Sequence, residues 1–544
     1  MRRLPLLLLV AVIALGWNLG GYQLLDPDEG RNAEIAREMA ETNDYLLPQL
    51  NGLPYLDKPV VYFAAAAAAM EVFGPHEMAA RLPALVSTLA TILLVVWFAR
   101  RRWGGEAGWL AGIALATMPL ALAYARTTIF DSTLSLFTTL AILAFFLERP
   151  AIAWAAVGAG ALTKGPVAIL IVLATVIPYR ALTGQRVRQL FGWRGMLAFA
   201  AVALPWFFFV TRRIPDFPHY VFVRETFERV MTPSFHRTGP WWYYLPILPV
   251  AAFPWTVPAL ARLGGGRLRM TWSTRAVNAA AREPLLLACW ILGPLLFFSL
   301  NQSKLPQYIL PLLPAFALAA GRNLVTGRMA TAGWRTYLAI AGAIVVVLLA
   351  VERFVPLPIT MTEGQRLAIP PTAVALAGAL AASALVVWVA ARRGSVAVAA
   401  AGFALVVLTV PFVAQRLLRA VGEDRSAALL ADAVRGRGEV LLIGTWRPSL
   451  PFYLGRRLRI ATATGKELTS NWIADHVEEY RAVPDTPILA PDAWRAVLTA
   501  CPVPTVFIAA RSDSSTRAAL SPLPLLFEDV RNAAFGPCAP GGPR

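Results

Sequence analysis

Charge is scarce in this 544-residue sequence: 15% of its residues are Asp, Glu, Lys or Arg, against 57% apolar. With a mean hydropathy of +0.57, that scarcity excludes a soluble globular enzyme and requires lipid as part of the solvent. Three cysteines are too few for a disulfide framework. Cys289 lies within an apolar run, as an ordinary small side chain, whereas Cys501 and Cys538 fall in the C-terminal region, where an oxidising compartment would permit a bridge. There are four histidines, and His219, His236 and His476 lack zinc-ligand spacing. No strand-linked glycine fingerprint for a nucleotide phosphate is present, and there are no internal repeats. The net charge of +18 does not imply a nucleic-acid partner. Most basic residues before the C-terminal region are arginines in short loops between apolar runs, which is the bias that orients a membrane protein.

Those apolar runs place thirteen candidate spans near 4–25, 82–99, 107–125, 129–147, 151–163, 166–179, 195–211, 243–261, 284–300, 305–321, 335–351, 371–391 and 394–414. The pair 151–163 and 166–179 is short for crossing and reads equally as a re-entrant hairpin. The first run follows two arginines but has no small-residue cleavage site before Asp26, so it reads as a retained helix rather than a secretory signal. With Arg2 and Arg3 cytoplasmic, the odd count puts the C-terminus outside. The expected fold class is an α-helical polytopic membrane protein of about 13 transmembrane helices. Residues 1–415 form its membrane domain, with external loops at 26–81 and 212–242. In the first loop, the charged stretch after Asn32 and the run Val60–Gly74 read as helices at the membrane surface. Beyond residue 416, apolar strands (Val440–Gly444, Pro487–Ala490, Thr505–Ala510) alternate with helical patterns, which predicts a small soluble α/β domain over 416–544.

The chemistry gathers at the outer ends of the spans. Asp26-Pro27-Asp28-Glu29-Gly30-Arg31 directly follows the first run, and charges held near a bilayer are functional candidates by default. Glu34, Arg37, Glu38 and Glu41 continue it at helical spacing. On the same side fall Lys58, Asp131, Arg237, Lys304 and Tyr308, with Lys164 at the tip of the short hairpin. Taken singly, Lys164 and Lys304 read as snorkelling lysines. Cations and a phenol hold a phosphate through charge-assisted hydrogen bonds, while a carboxylate handles an acceptor. Asp26 and Asp28 also read as a pair for a hard divalent cation, a reading the neighbouring Arg31 and Lys58 disfavour. A carrier would instead keep its ionisable groups at mid-membrane in repeated halves.

In order along the chain, PDEGR is followed by Ala33-Glu34-Ile35 and Arg37-Glu38-Met39, then by Asp57-Lys58-Pro59, Asp131, Thr163-Lys164-Gly165-Pro166 and Leu204-Pro205-Trp206. His236-Arg237-x-Gly239-Pro240 leads into Trp242-Tyr243-Tyr244-Leu245-Pro246, and SKLP-x-YILP closes the series at 303–311. This series resembles the lipid A aminoarabinose transferases of the protein O-mannosyltransferase superfamily, over about residues 20–320. The resemblance implies a GT-C fold. It also implies inverting transfer of 4-amino-4-deoxy-L-arabinose from an undecaprenyl phosphate donor to lipid A at the periplasmic face of the inner membrane. Related alternatives are another sugar or a protein Ser/Thr acceptor. It further implies Asp28 as the essential acid, with Asp131 a second acidic residue of the site and Glu29 beside Asp28. Lys58, Arg237, Tyr308 and Arg31 are then donor-phosphate contacts, and no metal or other cofactor is expected.

Overall fold

The computed structural model describes residues 3–221, 239–260, 279–326, 331–354 and 361–539. These form two compact units, one of residues 1–19 and 81–417, the other of residues 20–80 and 418–544. The loop that precedes Arg81 therefore groups with the C-terminal region, whereas the sequence pattern alone attached it to the membrane domain.

Among its described residues the first unit is built of helices, as apolar chain in lipid must be, because a helix satisfies its own backbone groups. Among the described residues six helices are long and apolar enough to cross a membrane, or seven if the bent pair Gly105–Ala116 and Pro119–Ala125 is one span. Asp131–Phe146, Val167–Leu182 and Trp334–Ala350 are apolar but shorter, so the helices establish a multi-pass protein without fixing the count at thirteen. The 65° bend of the pair is stabilised by Thr117, whose hydroxyl donates to Ile113 O and accepts from Trp255 Nε1 at 2.8 Å.

The first helix, Arg3–Gly16, ends nine residues before the expected limit at 25. Two buried arginines account for the stop. Arg126 donates to Leu15 O at 2.8 Å and to Asn18 O at 3.2 Å, and Arg81 donates to Leu19 O at 2.9 Å. The guanidinium groups thus claim one carbonyl of the helix's last turn and two just beyond it, and Asn18 turns into the left-handed region at φ 52°, as chains leaving helices do.

Small residues set the distances between helices. A Cβ at Gly293, on the helix Ala279–Leu300, would stand 2.0 Å from Ala174 O on Val167–Leu182. One at Gly321 would stand 2.7 Å from Ala107 O. Where lipid offers no hydrophobic driving force between helices, such close backbone approach is the source of packing energy.

The second unit carries a six-stranded sheet in the order β5-β4-β3-β6-β8-β7. Its strands are β3 (Glu439–Ile443), β4 (Arg459–Ala461), β5 (Ile488–Leu489), β6 (Thr505–Ala510), β7 (Leu525–Glu528) and β8 (Asn532–Phe535), while β1 (Gln49–Leu50) and β2 (Leu53–Pro54) pair separately as a hairpin. β5, β4, β3 and β6 run parallel, and β8 and β7 are antiparallel. Leu441, Ile443, Phe507, Ala509 and Trp494 fill one core cluster, beside a disulfide between Cys501 and Cys538.

The helix Asp28–Thr42 belongs to this unit and buries charge. Arg37 grips Glu34 with two hydrogen bonds, at 2.8 and 2.7 Å, and reaches Glu41 at 2.8 Å. Glu38 accepts from Gly52 N at 2.8 Å. Burial pushes the Glu34 carboxyl up to about 8 against the pull of Arg37, and the neighbouring Glu38 adds to the rise. Arg457 Nε stands 3.7 Å from Glu38 as well, so two cations meet three carboxylates and burial leaves the proton on Glu34.

Two predictions follow from this packing. Gly293→Ala should lower stability by about 1–3 kcal/mol, an overpacking cost, measured by thermal unfolding in detergent. Gly342→Ala, where a Cβ meets nothing within 4 Å, should not. For Glu34 the folded carboxyl holds its proton more tightly than the unfolded one, so its contribution is complete below about pH 4.5 and is lost as pH rises toward about 8. Glu34→Gln should therefore flatten the fall in melting temperature between pH 5 and 9. Parallel pH profiles would refute this.

Candidate functional site

In the second unit the site is built on the N-terminus of the helix Asp28–Thr42. Asp28 opens the helix, where the macrodipole favours an anion, and its Oδ1 lies 2.7 Å from Arg31 Nη2, one turn on. Arg31 Nη1 also donates to Thr469 Oγ1 at 3.2 Å and Thr469 O at 3.3 Å, and the guanidinium sits 5.8 Å from the centre of the Tyr55 ring. Asp28 keeps 37% of its side-chain surface in solvent. The flanking acids Glu29 and Asp26 do not. Glu29 is buried and accepts from Leu25 N at 3.1 Å, closing its own helix start.

Asp26 is buried too. Its Oδ1 accepts from Ser449 N at 2.8 Å, and its Oδ2 accepts from Ser449 Oγ at 2.9 Å and from Arg447 Nε at 3.3 Å. Burial raises its carboxyl to about 6, with Arg447 and Ser449 pulling the other way. Both oxygens of Asp26 are therefore committed within the protein, and the Asp-x-Asp pair splits into one engaged and one accessible carboxylate. Among the described residues no three His, Cys, Asp or Glu side chains gather as a cation site. Lys58 lies on the same unit, half-buried, and its Nζ donates to Asp57 O at 2.5 Å.

The first unit assembles a second group. Asp131 opens the helix Asp131–Phe146 and is buried. Lys164, the last residue of the helix Pro150–Lys164, meets it with Nζ 2.5 Å from Oδ1. The same ammonium stands 4.8 Å from the centre of the Tyr308 ring, in the 3₁₀ turn Pro306–Leu312. Removing one member of such a buried pair strands the other's charge, at about 3–5 kcal/mol. Lys164 is thus more than a snorkelling side chain. The cue in the sequence was a lysine at one helix end and an aspartate at another on the same side, but the residues do not reveal that the two touch.

Lys304 does different work: its Nζ donates to the carbonyls of Ser299 at 2.8 Å and Asn301 at 2.5 Å, capping the end of the helix Ala279–Leu300. Arg237 and His236 lie outside the described residues. The structure thus joins Asp28 to Arg31, and Asp131 to Lys164 and Tyr308, and it turns Asp26, Glu29 and Lys304 inward to backbone or side-chain partners.

Comparison with known proteins agrees with this architecture. Residues 57–209 match the dolichyl-phosphate-mannose-protein mannosyltransferase family. The chain is 32% identical over 316 residues to the undecaprenyl phosphate-alpha-4-amino-4-deoxy-L-arabinose arabinosyl transferase of Aeromonas salmonicida, covering 56% of each chain. It is 33% identical over 314 residues to that of Pectobacterium atrosepticum, covering 55% of each. The matched segment spans just over half the length of these curated relatives. Across the whole fold, the chain superposes on the crystal structure of ArnT from Cupriavidus metallidurans bound to undecaprenyl phosphate with a TM-score of 0.81 and 26% identity, covering 99% of both chains. For the apo state the values are 0.80 and 27%, over 98% of this chain and 97% of that one. In fold and in sequence the chain, a multi-pass membrane protein with the GT-C architecture, is similar to the aminoarabinosyl transferases.

Proposed function

We propose that this protein is an inverting membrane glycosyltransferase that moves 4-amino-4-deoxy-L-arabinose from undecaprenyl phosphate to a phosphate of lipid A. In this reading the N-terminus is cytoplasmic, and the chemistry and the C-terminal domain are on the periplasmic side of the inner membrane. The observation that carries the reading is the agreement over 99% of both chains with a transferase crystallised with undecaprenyl phosphate.

An acceptor oxygen attacks the anomeric carbon from the face opposite the donor phosphate. The carbon–oxygen bond to that phosphate then breaks with its electron pair, releasing undecaprenyl phosphate. The demand is for charge stabilisation on the departing oxygens, which preorganised cations supply in a water-poor site. Lys58, Arg31, Arg237 and Tyr308 are assigned to that task. Lys164, held by Asp131 beside the Tyr308 ring, adds a further cation. Asp28, the acid left open to solvent, deprotonates a hydroxyl acceptor. If the acceptor is a phosphate, already an anion, Asp28 orients it or stabilises positive charge developing on the sugar ring. Transfer without a metal is part of this proposal, supported by the commitment of both Asp26 oxygens to Ser449 and Arg447.

The match of residues 57–209 to protein mannosyltransferases favours, as a second reading, another sugar or a protein Ser/Thr acceptor on the same polyprenyl phosphate chemistry. Mass spectrometry of lipid A from cells with and without the gene separates the two. A missing pentosamine on deletion supports the first, and an unchanged lipid A profile the second.

Asp28→Asn should reduce turnover by about 100-fold or more, the range of a positioned acid or base, in membranes supplied with undecaprenyl phosphate aminoarabinose and lipid A. Lys58→Ala and Arg237→Ala should raise the apparent KM for the donor. Normal turnover in the first variant, or unchanged donor affinity in both others, would refute the corresponding roles.

A further inference from the structure

In the second unit β3 leads to β4 and β5 on one side, and the chain then crosses to β6 on the other. The strand order turns back at β3. Open α/β sheets take their ligands outside the carboxyl ends of the strands at such a point. Here the loop leaving β3 carries Arg447 and Ser449, and what they hold is a carboxylate of the same chain, Asp26.

Arg447 is fully engaged around it. Nη2 donates to Ser426 O at 2.6 Å, and Nη1 donates to Asp529 Oδ2 and Asn532 Oδ1, each at 3.3 Å, while Nε faces Asp26. The backbone joins in, Asp26 N donating to Arg425 O at 2.9 Å. The approach is so close that a Cβ on Gly30 would lie 2.2 Å from Asp26 Oδ1 and 2.5 Å from Ser449 N. Gly30 is thereby explained as the residue that lets the start of the helix seat on Ser449.

Two further grips act on the same segment. Asp57, adjacent to Lys58, accepts from Asn471 N at 3.0 Å and from Trp472 N at 3.2 Å. Asn51 exchanges two hydrogen bonds of 2.8 Å with the backbone of Leu458. With Thr469 on Arg31, every candidate site residue of this segment is itself held by the C-terminal domain or lies within two residues of one that is.

We infer that the C-terminal α/β domain is a positioning device for the reacting segment: Arg447 and Ser449 set Asp28 through Asp26, and the Asn471–Trp472 turn sets Lys58 through Asp57. The inference rests on the roles of Asp28 and Lys58 proposed above. Two separate grips predict two separate kinetic signatures, which loss of folding would not produce.

In full-length protein in nanodiscs, with undecaprenyl phosphate aminoarabinose and lipid A, Arg447→Gln and the milder Ser449→Ala should lower kcat by about 10- to 100-fold, the cost of misplacing a reacting group. Donor KM should rise less than in Asp57→Asn, since Lys58 keeps its own grip and Arg31 is still held by Thr469. Arg447→Lys should recover part of the loss. Asp57→Asn should do the reverse, raising donor KM about tenfold with kcat changed by less than about threefold. Hydrogen exchange supplies a readout independent of turnover: the amides of Glu29, Gly30 and Arg31 should exchange faster in Arg447→Gln and Ser449→Ala but not in Asp28→Asn. Parent kcat with parent exchange in both loop variants, or the same kcat and KM signature from the two grips, would overturn the inference. An active Asp28→Asn would overturn the catalytic role of Asp28, and the exchange data would then decide the anchoring by itself.

Discussion

A carboxylate shut away from water must be met by cations and N–H groups, and the organisation of this protein turns on how that need is met at Asp26. Its partners, Arg447 and Ser449, lie 421 and 423 residues further along the chain. An unpaired charge at such depth would cost several kcal/mol, so the segment and the loop are bound to each other by necessity rather than by incidental packing. The same constraint recurs in the helical unit. Asp131 is satisfied by Lys164, the end of the first helix by Arg126 and Arg81, and the end of the helix Ala279–Leu300 by Lys304. The buried charges Asp26, Asp131, Arg81, Arg126 and Lys304 are each met by another charge or by backbone groups.

That division of labour explains why two aspartates two residues apart behave differently. Asp26 precedes the helix and turns inward to Ser449. Asp28 occupies the first helical position, shares one oxygen with Arg31 and keeps more than a third of its side-chain surface in solvent. Burial, not residue type, decides which of them the fold consumes. The ion pair with Arg31 fixes the Asp28 rotamer, and Thr469 and Tyr55 fix Arg31 in turn, so the group is preorganised without being enclosed. Preorganisation of this sort is what lets a static charge lower a barrier, since no reorientation is needed as charge develops.

Much of this was legible in the residues. Helices form at the apolar runs, the strands expected at Val440–Gly444 and Thr505–Ala510 are β3 and β6, and the charged stretch after Asp26 is a helix. The order of short motifs carried the likeness to aminoarabinose transferases before any coordinates. What escaped were contacts between distant segments, which no local period encodes. Arg447 reads as one arginine among many in a basic region. Lys164 reads as an interfacial lysine until Asp131 is placed against it. β4, β7 and β8 are short, and the first two carry charged ends, so they offered little alternation to detect. The early stop of the first helix at Gly16 was hidden for a related reason: the apolar run continues past it, and the arginines that claim its carbonyls lie near residues 81 and 126.

The Asp-x-Asp pair shows why a motif has to be weighed by its surroundings. Spacing alone makes Asp26 and Asp28 equivalent oxygen donors for a hard cation, and the neighbouring cations argued against that use without saying what else Asp26 does. The geometry supplies the alternative. A protein anion is held by Ser449 N, Ser449 Oγ and Arg447, a donor set that would serve equally for a bound phosphate, and it is taken up by the chain itself. A domain whose topology is that of a ligand binder has as its ligand the segment two residues ahead of Asp28. Seating the segment in this way removes conformational freedom before substrate arrives, which leaves more of any binding energy for a reaction step.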